Sequence, residues 1–287
     1  MLSFFLLLVL ASSLAGELTY VAGCRLVKDS GEVLMTFPGR VCEFAHDGTF
    51  LSLGPSHLRR FAPGGKLLWE KDVLAERAEF SVTSRGEILL LEDKGETFHF
   101  IVLGADGKRI REASSREIWR DKKPHRVSEF RESRDGYFLN VPHEGLFLLS
   151  RTLAPTGEVL KFGKGHHARD VHWTREGKFV YLEIPSEDFE PMPTVSAVVY
   201  DPERRQVEFR FPPAPSGSFT FPRGGSLALS GEDLVINHPL SGTYLIRRSS
   251  GEVAEYVPET HIDINQIRVP DRVALEDLRE FLGRWKF

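Results

Sequence analysis

Histidine, arginine and carboxylate side chains recur together at the start of several short apolar segments of this sequence. The residues that we expect to form a site are His125, Arg126, Glu129, His167, Arg169, Asp170, His261 and Asp263. Arginine can hold a carboxylate, sulfate or phosphate group through charge-assisted hydrogen bonds. Imidazole and carboxylate groups can together ligate a transition metal, so a metal ion is a second interpretation. An imidazole between a carboxylate and a substrate can also act as a general acid–base.

Four further charged residues occupy matching places in other segments. Arg40 precedes Glu43, and Arg77 precedes Glu79, as Arg126 precedes Glu129. Regular repetition favours a structural role, because buried charges need partners. We therefore interpret Arg40, Arg77, Glu43 and Glu79 as ion-paired residues that line a channel, and the histidines, which break the repeat, as the functional residues.

Composition and motifs exclude several function classes. The formal net charge is −4, and the chain has no basic patch interleaved with aromatic residues, which argues against a nucleic-acid partner. The sequence also lacks a phosphate-binding P-loop, a metalloprotease helix and a Gly-x-Ser-x-Gly turn. The expected partner is a small anionic ligand or a protein.

A repeated turn indicates the elements that must position these residues. A glycine precedes a short apolar run at positions 48, 86, 136, 177 and 225, with spacings of 38, 50, 41 and 48 residues. Within the unit 126–162, three turns separate four such runs. Four short strands per unit of this size are typical of a β-propeller blade.

The strand count predicts an all-β fold, a six-bladed β-propeller over residues 16–270. Five units supply all four strands, and the N-terminal unit lacks its innermost one. Residues 262–267, Ile-Asp-Ile-Asn-Gln-Ile, are expected to supply that strand, because such closure leaves the ring without open edges. A seven-bladed or open arrangement is the alternative. Long connections fall on one face, which is the expected working face because loops on a rigid scaffold carry function.

Two segments resemble known propeller families. Residues 61–69, Phe-Ala-Pro-Gly-Gly-Lys-Leu-Leu-Trp, resemble the repeat of quinoprotein-like propellers, in which the late tryptophan packs between blades. Residues 166–171, His-His-Ala-Arg-Asp-Val, followed by Glu-Gly-Lys at 176–178, are similar to the histidine-containing blade motif of bacterial aryl sulfotransferases. Both resemblances imply a propeller architecture.

The N-terminal segment predicts export. Residues 2–10 are almost all Leu, Phe and Val, a run too short to span a bilayer, and small residues at 13–15 predict signal-peptide cleavage after Ala15. An uncleaved anchor is the alternative. In the periplasm or outside the cell, the lone pair Cys24 and Cys42 is expected to form a disulfide, with two buried free thiols as the alternative.

The C-terminal segment 271–287 carries apolar residues at helical spacing, which predicts an amphipathic helix that packs on the propeller. No transmembrane segment is expected after cleavage, and a closed ring is expected to be a monomer. Together these features predict an exported propeller that binds a ligand or partner on its His- and Arg-rich face. The alternative is a funnel-site enzyme, a hydrolase or a group transferase such as a sulfotransferase-like enzyme, with or without a metal.

Overall fold

The structure is a computed structural model. It describes residues 6–7, 19–22, 24–28, 33–45, 47–62, 64–75, 77–119, 126–163, 166–174, 176–185, 196–211, 226–230, 233–238, 242–247, 250 and 253–258. These residues form six antiparallel sheets of four strands each, and within each sheet every strand pairs with the next one along the chain.

The strands are numbered in chain order. The first two sheets comprise β1 Leu6–Leu7, β2 Thr19–Ala22, β3 Arg25–Lys28, β4 Val33–Thr36, β5 Val41–Phe44, β6 Phe50–Leu53, β7 His57–Phe61 and β8 Leu67–Asp72. The next two comprise β9 Arg77–Val82, β10 Ile88–Asp93, β11 Phe98–Leu103, β12 Arg109–Ser114, β13 Glu129–Glu132, β14 Gly136–Val141, β15 Gly145–Ser150 and β16 Pro155–Lys161. The last two comprise β17 His166–Trp173, β18 Phe179–Pro185, β19 Ser196–Asp201, β20 Gln206–Phe211, β21 Ser226–Ser230, β22 Asp233–His238, β23 Gly242–Ile246 and β24 Val253–Pro258.

The chain divides into two compact units. The first contains residues 1–22, 27–32 and 162–287, and the second contains residues 23–26 and 33–161. The second unit holds the three sheets formed by β5 to β16, and the first unit holds the two sheets formed by β17 to β24.

The second strand of each sheet contributes side chains from both of its faces to the core of the second unit, as β10 shows. Leu89 and Leu91 of β10 pack with Phe130 and Leu139, whereas Leu90 of the same strand packs in a cluster with Phe80 and Leu51. Successive side chains of a strand point to opposite faces, so β10 is buried on both sides. This explains why the run Ile88 to Leu91 is continuously apolar instead of alternating.

Polar contacts join neighbouring sheets near the outer strands. The indole of Trp69 donates to the carbonyl of Ala105 at 2.9 Å, and its ring lies directly over Gly107, whose φ is +79°. Arg60, only 2% exposed, donates to the same carbonyl at 2.6 Å and pairs with Asp47 at 2.7 Å. The prediction that this tryptophan packs between blades agrees with these contacts between adjacent sheets.

The two cysteines form a disulfide, as the sequence predicted. Cys24 and Cys42 lie 18 positions apart, and their Cα atoms are separated by 5.3 Å. The bond ties the turn before β3 to the innermost strand of the second sheet, β5. The chain-entropy model assigns a loop of this length a stabilisation of about 3 kcal/mol.

Two features of the described chain were not expected. A four-residue helix, α1 Ser115–Ile118, lies in the connection between β12 and β13, where the sequence predicted a loop. Ser114 and Glu117 form a capping box that explains its start. In addition, Leu6–Leu7 pairs with β2, at the strand position for which residues 262–267 were predicted. Residues 262–267 and the predicted helix at 271–287 lie outside the described residues.

No helix within the described residues is long and apolar enough to cross a membrane.

Candidate functional site

The first strands of the three sheets in the second unit, β5, β9 and β13, lie side by side. The hydroxyl of Ser81 in β9 donates to the carbonyl of Phe130 in β13 at 3.0 Å, and the amide of Ser84 donates to Glu132 at 2.6 Å. Because residue numbers increase together in these two contacts, β9 and β13 run in the same direction. On the other side of β9, the amide of Val82 donates to Glu43 of β5 at 3.3 Å. The first residues of all three strands therefore lie at one edge of the unit.

We call Arg40, Arg77 and Arg126 the rim arginines. Each precedes or begins its strand, and each is exposed. Among the described residues, none of the three forms an ion pair, in contrast to Arg59, Arg60 and Arg151. Exposed guanidinium groups can bind an anion from solvent.

Below this rim lie two carboxylates at the same level, which we call the carboxylate pair. Glu79 is opposite Leu91, Glu129 is opposite Asn140, and each is four residues before the residue that starts its hairpin turn, Thr83 or Ser133. Glu129 is 5% exposed and forms an ion pair with Arg131 at 3.2 Å. Glu79 has no comparable ion pair in the described part of the chain. Within the described residues, an ion pair therefore accompanies one of the two carboxylates, Glu129, and not the other.

The pKa of Glu79 reflects this imbalance. Burial raises it and the negative charge of Glu129 raises it further, whereas the positive charges of the chain's N-terminal amine, of Arg131 and of Arg77 lower it, so that it stands at about 7 instead of 4.5. A carboxyl group with such a pKa is half protonated near neutral pH. The charge of Glu129 therefore links the titration of Glu79 to the neighbouring carboxylate.

Glu43 does not occupy the place that the sequence predicted. It lies opposite Leu51 and only two residues before the turn residue Ala45, whereas Glu79 lies four residues before Thr83. Glu43 is therefore level with Ser81, two positions farther along the strand than the carboxylate pair. The repeated Glu-Phe dipeptide suggested equivalence, but β9 reaches its turn two residues later than β5.

Arg131 is a site residue that the sequence reasoning missed. It follows Glu129 by two positions, so both side chains project from the same face of β13. The period-2 pattern of a strand would have indicated this pairing.

A second cluster lies on β17, in the first unit, and contains three of the predicted site residues: His167, Arg169 and Asp170. Asp170 is fully buried, has a φ of +54°, and lies where the pairing with β18 shifts register. The Nε atom of Arg169 is 3.5 Å from a carboxylate oxygen of Asp170. A non-glycine residue in this conformation inside a strand is strained, and such strain is concentrated at functional sites.

The remaining predicted site residues, His125, His261 and Asp263, lie outside the described residues. Within the part of the chain that the structure describes, no group of three His, Cys, Asp or Glu side chains is arranged to hold a metal ion. The structure thus brings Glu129 near Glu79 and places Arg126 before β13 as Arg77 begins β9, while His167, Arg169 and Asp170 lie separately on β17.

Solved structures similar to this chain include β-propeller domains. A protein of unknown function from Bacteroides caccae is 14% identical, with a TM-score of 0.60, and the match covers 89% of this chain and 98% of that one. The Pan2 WD40 domain of Neurospora crassa is 13% identical, with a TM-score of 0.56 and coverages of 85% and 76%. The β-propeller domain of Cps50 (Swd1) from Myceliophteria thermophila is 14% identical, with a TM-score of 0.51 and coverages of 78% and 69%.

These similarities show the fold, an all-β propeller of four-stranded antiparallel sheets. No protein-family model matches the chain, and no curated protein matches it by sequence. The resemblances to quinoprotein-like propellers and to aryl sulfotransferases therefore stay predictions about details beyond the fold.

Proposed function

We propose that this β-propeller is an exported binding module that takes an anionic group, carried by a small ligand or a protein partner, on the edge formed by its rim arginines. The observation that carries the proposal is that Arg40, Arg77 and Arg126 are exposed at one edge of three adjacent sheets, without an ion pair among the described residues. Guanidinium groups bind carboxylate, sulfate and phosphate through paired hydrogen bonds. Arg77 begins a strand, and Arg40 and Arg126 precede theirs by one and three residues.

Several features support the rest of this interpretation. Six four-stranded sheets support a six-bladed ring, which residues 262–267 would close in the mature protein after removal of residues 1–15. The disulfide supports an oxidising compartment, either the periplasm or the outside of the cell. A closed ring without free inner edges supports a monomer.

Sulfate binding to the mature protein tests the proposal. Calorimetric titration at constant ionic strength would compare the wild type with the triple variant Arg40→Gln, Arg77→Gln, Arg126→Gln. Loss of the three charge-assisted contacts should weaken binding by at least about tenfold, since each such contact is worth more than 1 kcal/mol.

A matched control removes the same charge from the opposite edge. Lys66, Arg85 and Arg134 are exposed and lie in the turns between strands, and their triple replacement by Gln changes the net charge equally. The control variant should bind sulfate like the wild type. Equal weakening in both variants would mean that only the net charge matters, and would refute a site on the rim.

A funnel-site enzyme is the second candidate, favoured by the strained and fully buried Asp170 beside Arg169. We infer for it a hydrolase or group transferase activity on sulfate or phosphate esters. Chromogenic aryl esters would reveal turnover, which Asp170→Asn should abolish while the protein keeps its fold by circular dichroism. Absence of turnover in the wild type, or the same turnover in the variant, would rule out this candidate.

A further inference from the structure

We propose that the ionisation of Glu79 regulates the rim arginines, so that the propeller holds its anion when Glu79 is protonated and releases it when Glu79 is ionised. This inference rests on the proposed anion site and adds to it a control by pH.

The geometry places Glu79 next to the anion site. Arg77 and Glu79 are two residues apart on β9, so their side chains project from the same face of the strand, one toward the rim and one below it. Their charges interact directly, since Arg77 lowers the pKa of Glu79. A negative charge on Glu79 must therefore oppose an anion that is bound at Arg77.

In the mature protein the groups around Glu79 do not cancel that charge, because the N-terminal amine of the full chain, which lowers the pKa of Glu79 more than any side chain does, would be removed with residues 1–15. From β13 it is faced by Glu129 and Arg131, which pair with each other, and from β5 by Glu43, whose Oε1 atom accepts from the amide of Val82. On β10, Glu92 and Asp93 lie opposite Ala78 and Arg77. The packed segment of β6, Phe50–Leu53, contributes no charged side chain. Arg77 is the cation on β9 itself, and its positive charge would act on both Glu79 and the bound anion.

Glu79 changes its charge near neutral pH. Burial and the charge of Glu129 place its pKa at about 7, whereas arginine stays protonated throughout the physiological range. Protonation near neutral pH therefore changes the charge under the rim while the rim itself keeps its charge.

The magnitude follows from Coulomb's law. A unit charge about 10 Å from a dianion, in surroundings close to water, changes the affinity about fivefold, and burial increases this factor. By reciprocity, a bound anion must lower the acid dissociation constant of Glu79 by the same factor, which raises its pKa by about 0.7.

The test is the dissociation constant of sulfate at about pH 6 and about pH 8.5, with calorimetry as the readout. Sulfate is suited to this because its charge does not change over the interval. Wild type should bind about fivefold more weakly at the higher pH, and Glu79→Gln should lose most of that difference. Glu158→Gln, an exposed glutamate of β16, is the matched control and should behave like the wild type.

Comparison with Glu79→Gln also separates Glu79 from every other titratable group, because those groups are intact in both proteins. An equal fall in affinity in wild type and Glu79→Gln would overturn the inference while leaving the anion site standing. Sulfate binding that does not depend on pH would do the same. Absence of sulfate binding at both pH values would refute the anion site itself, and the inference with it.

A second readout does not depend on affinity. Carbon-13 NMR of the side-chain carboxyl of Glu79 should show a midpoint near 7 without sulfate, and a higher midpoint with saturating sulfate. An unchanged midpoint in the presence of bound sulfate would contradict coupling between the two sites.

Discussion

Replacing Glu79 by glutamine should stabilise the protein, and more so at higher pH. The pKa of this carboxyl is about 7 in the folded protein and 4.5 in an ordinary environment. Between those values the folded state keeps a proton that the unfolded chain has already lost. The free energy of unfolding therefore falls as the pH rises from about 4.5 to about 7, and the loss is complete above about 7.

The magnitude follows from the two pKa values. One pKa unit corresponds to about 1.4 kcal/mol, so ionised Glu79 destabilises the folded protein by about 3 kcal/mol near pH 8 and by less than about 1 kcal/mol near pH 5. Glutamine has nearly the same shape and no charge, so Glu79→Gln should recover most of that energy at pH 8 and little at pH 5.

Urea denaturation at the two pH values, followed by tryptophan fluorescence, measures the effect. Glu158→Gln serves as the control, because this carboxylate is exposed on an outer strand and should change stability little at either pH. If Glu79→Gln is no more stable than wild type at pH 8, or gains equally at both pH values, then Glu79 is not a buried carboxyl under the influence of Glu129, and the reasoning is wrong.

Three further predictions concern the contacts between sheets and the disulfide. Arg60→Gln should lower the free energy of unfolding in urea by about 2 kcal/mol, because the buried guanidinium loses its hydrogen bonds to Thr49, Ala105 and Asp47. A loss of only a few tenths of a kcal/mol, as at an exposed site, would contradict this. Gly107→Ala should lower the free energy of unfolding by about 2 kcal/mol, because its φ is +79° and a Cβ would lie 2.9 Å from the neighbouring indole. Gly86→Ala is the control, since Gly86 has a φ of +78° but open space around it, and it should cost about half as much. Equal costs would refute the role of the indole. Reduction of Cys24–Cys42 should lower stability by about 3 kcal/mol, and a double replacement by serine should show no further loss on adding reductant.

Most of the second unit could be predicted from the sequence, because its turns and strands follow local rules. The glycines at 48, 86 and 136 mark hairpin turns, and each is followed by a buried strand. The Cys24–Cys42 disulfide was predicted from the expected oxidising compartment. The packing of Trp69 between sheets was predicted from the resemblance of residues 61–69 to the repeat of quinoprotein-like propellers. These features depend on turn chemistry and on apolar runs, both of which are visible locally.

The level of each charged residue could not be predicted so simply. Glu43 and Glu79 precede a phenylalanine in the same way, but the first is two residues from its turn and the second is four. Counting back from the turn, instead of matching the dipeptide, would have kept Glu79 level with Glu129 and separated Glu43 from both. Asp170 illustrates the other limit, because a shift of register inside β17 is set by the tertiary packing of the strand and has no glycine to mark it.

The arginine side chains themselves give the most direct test of the anion site. In a nitrogen-15-labelled mature protein, titration with sulfate can be followed at the Nε–H groups of individual arginines. The account predicts saturable shifts at Arg40, Arg77 and Arg126, and unchanged signals at Arg85 and Arg134 on the opposite edge. Shifts spread evenly over both edges, or no saturable shift at the three rim arginines, would contradict the proposal that this propeller binds an anion there.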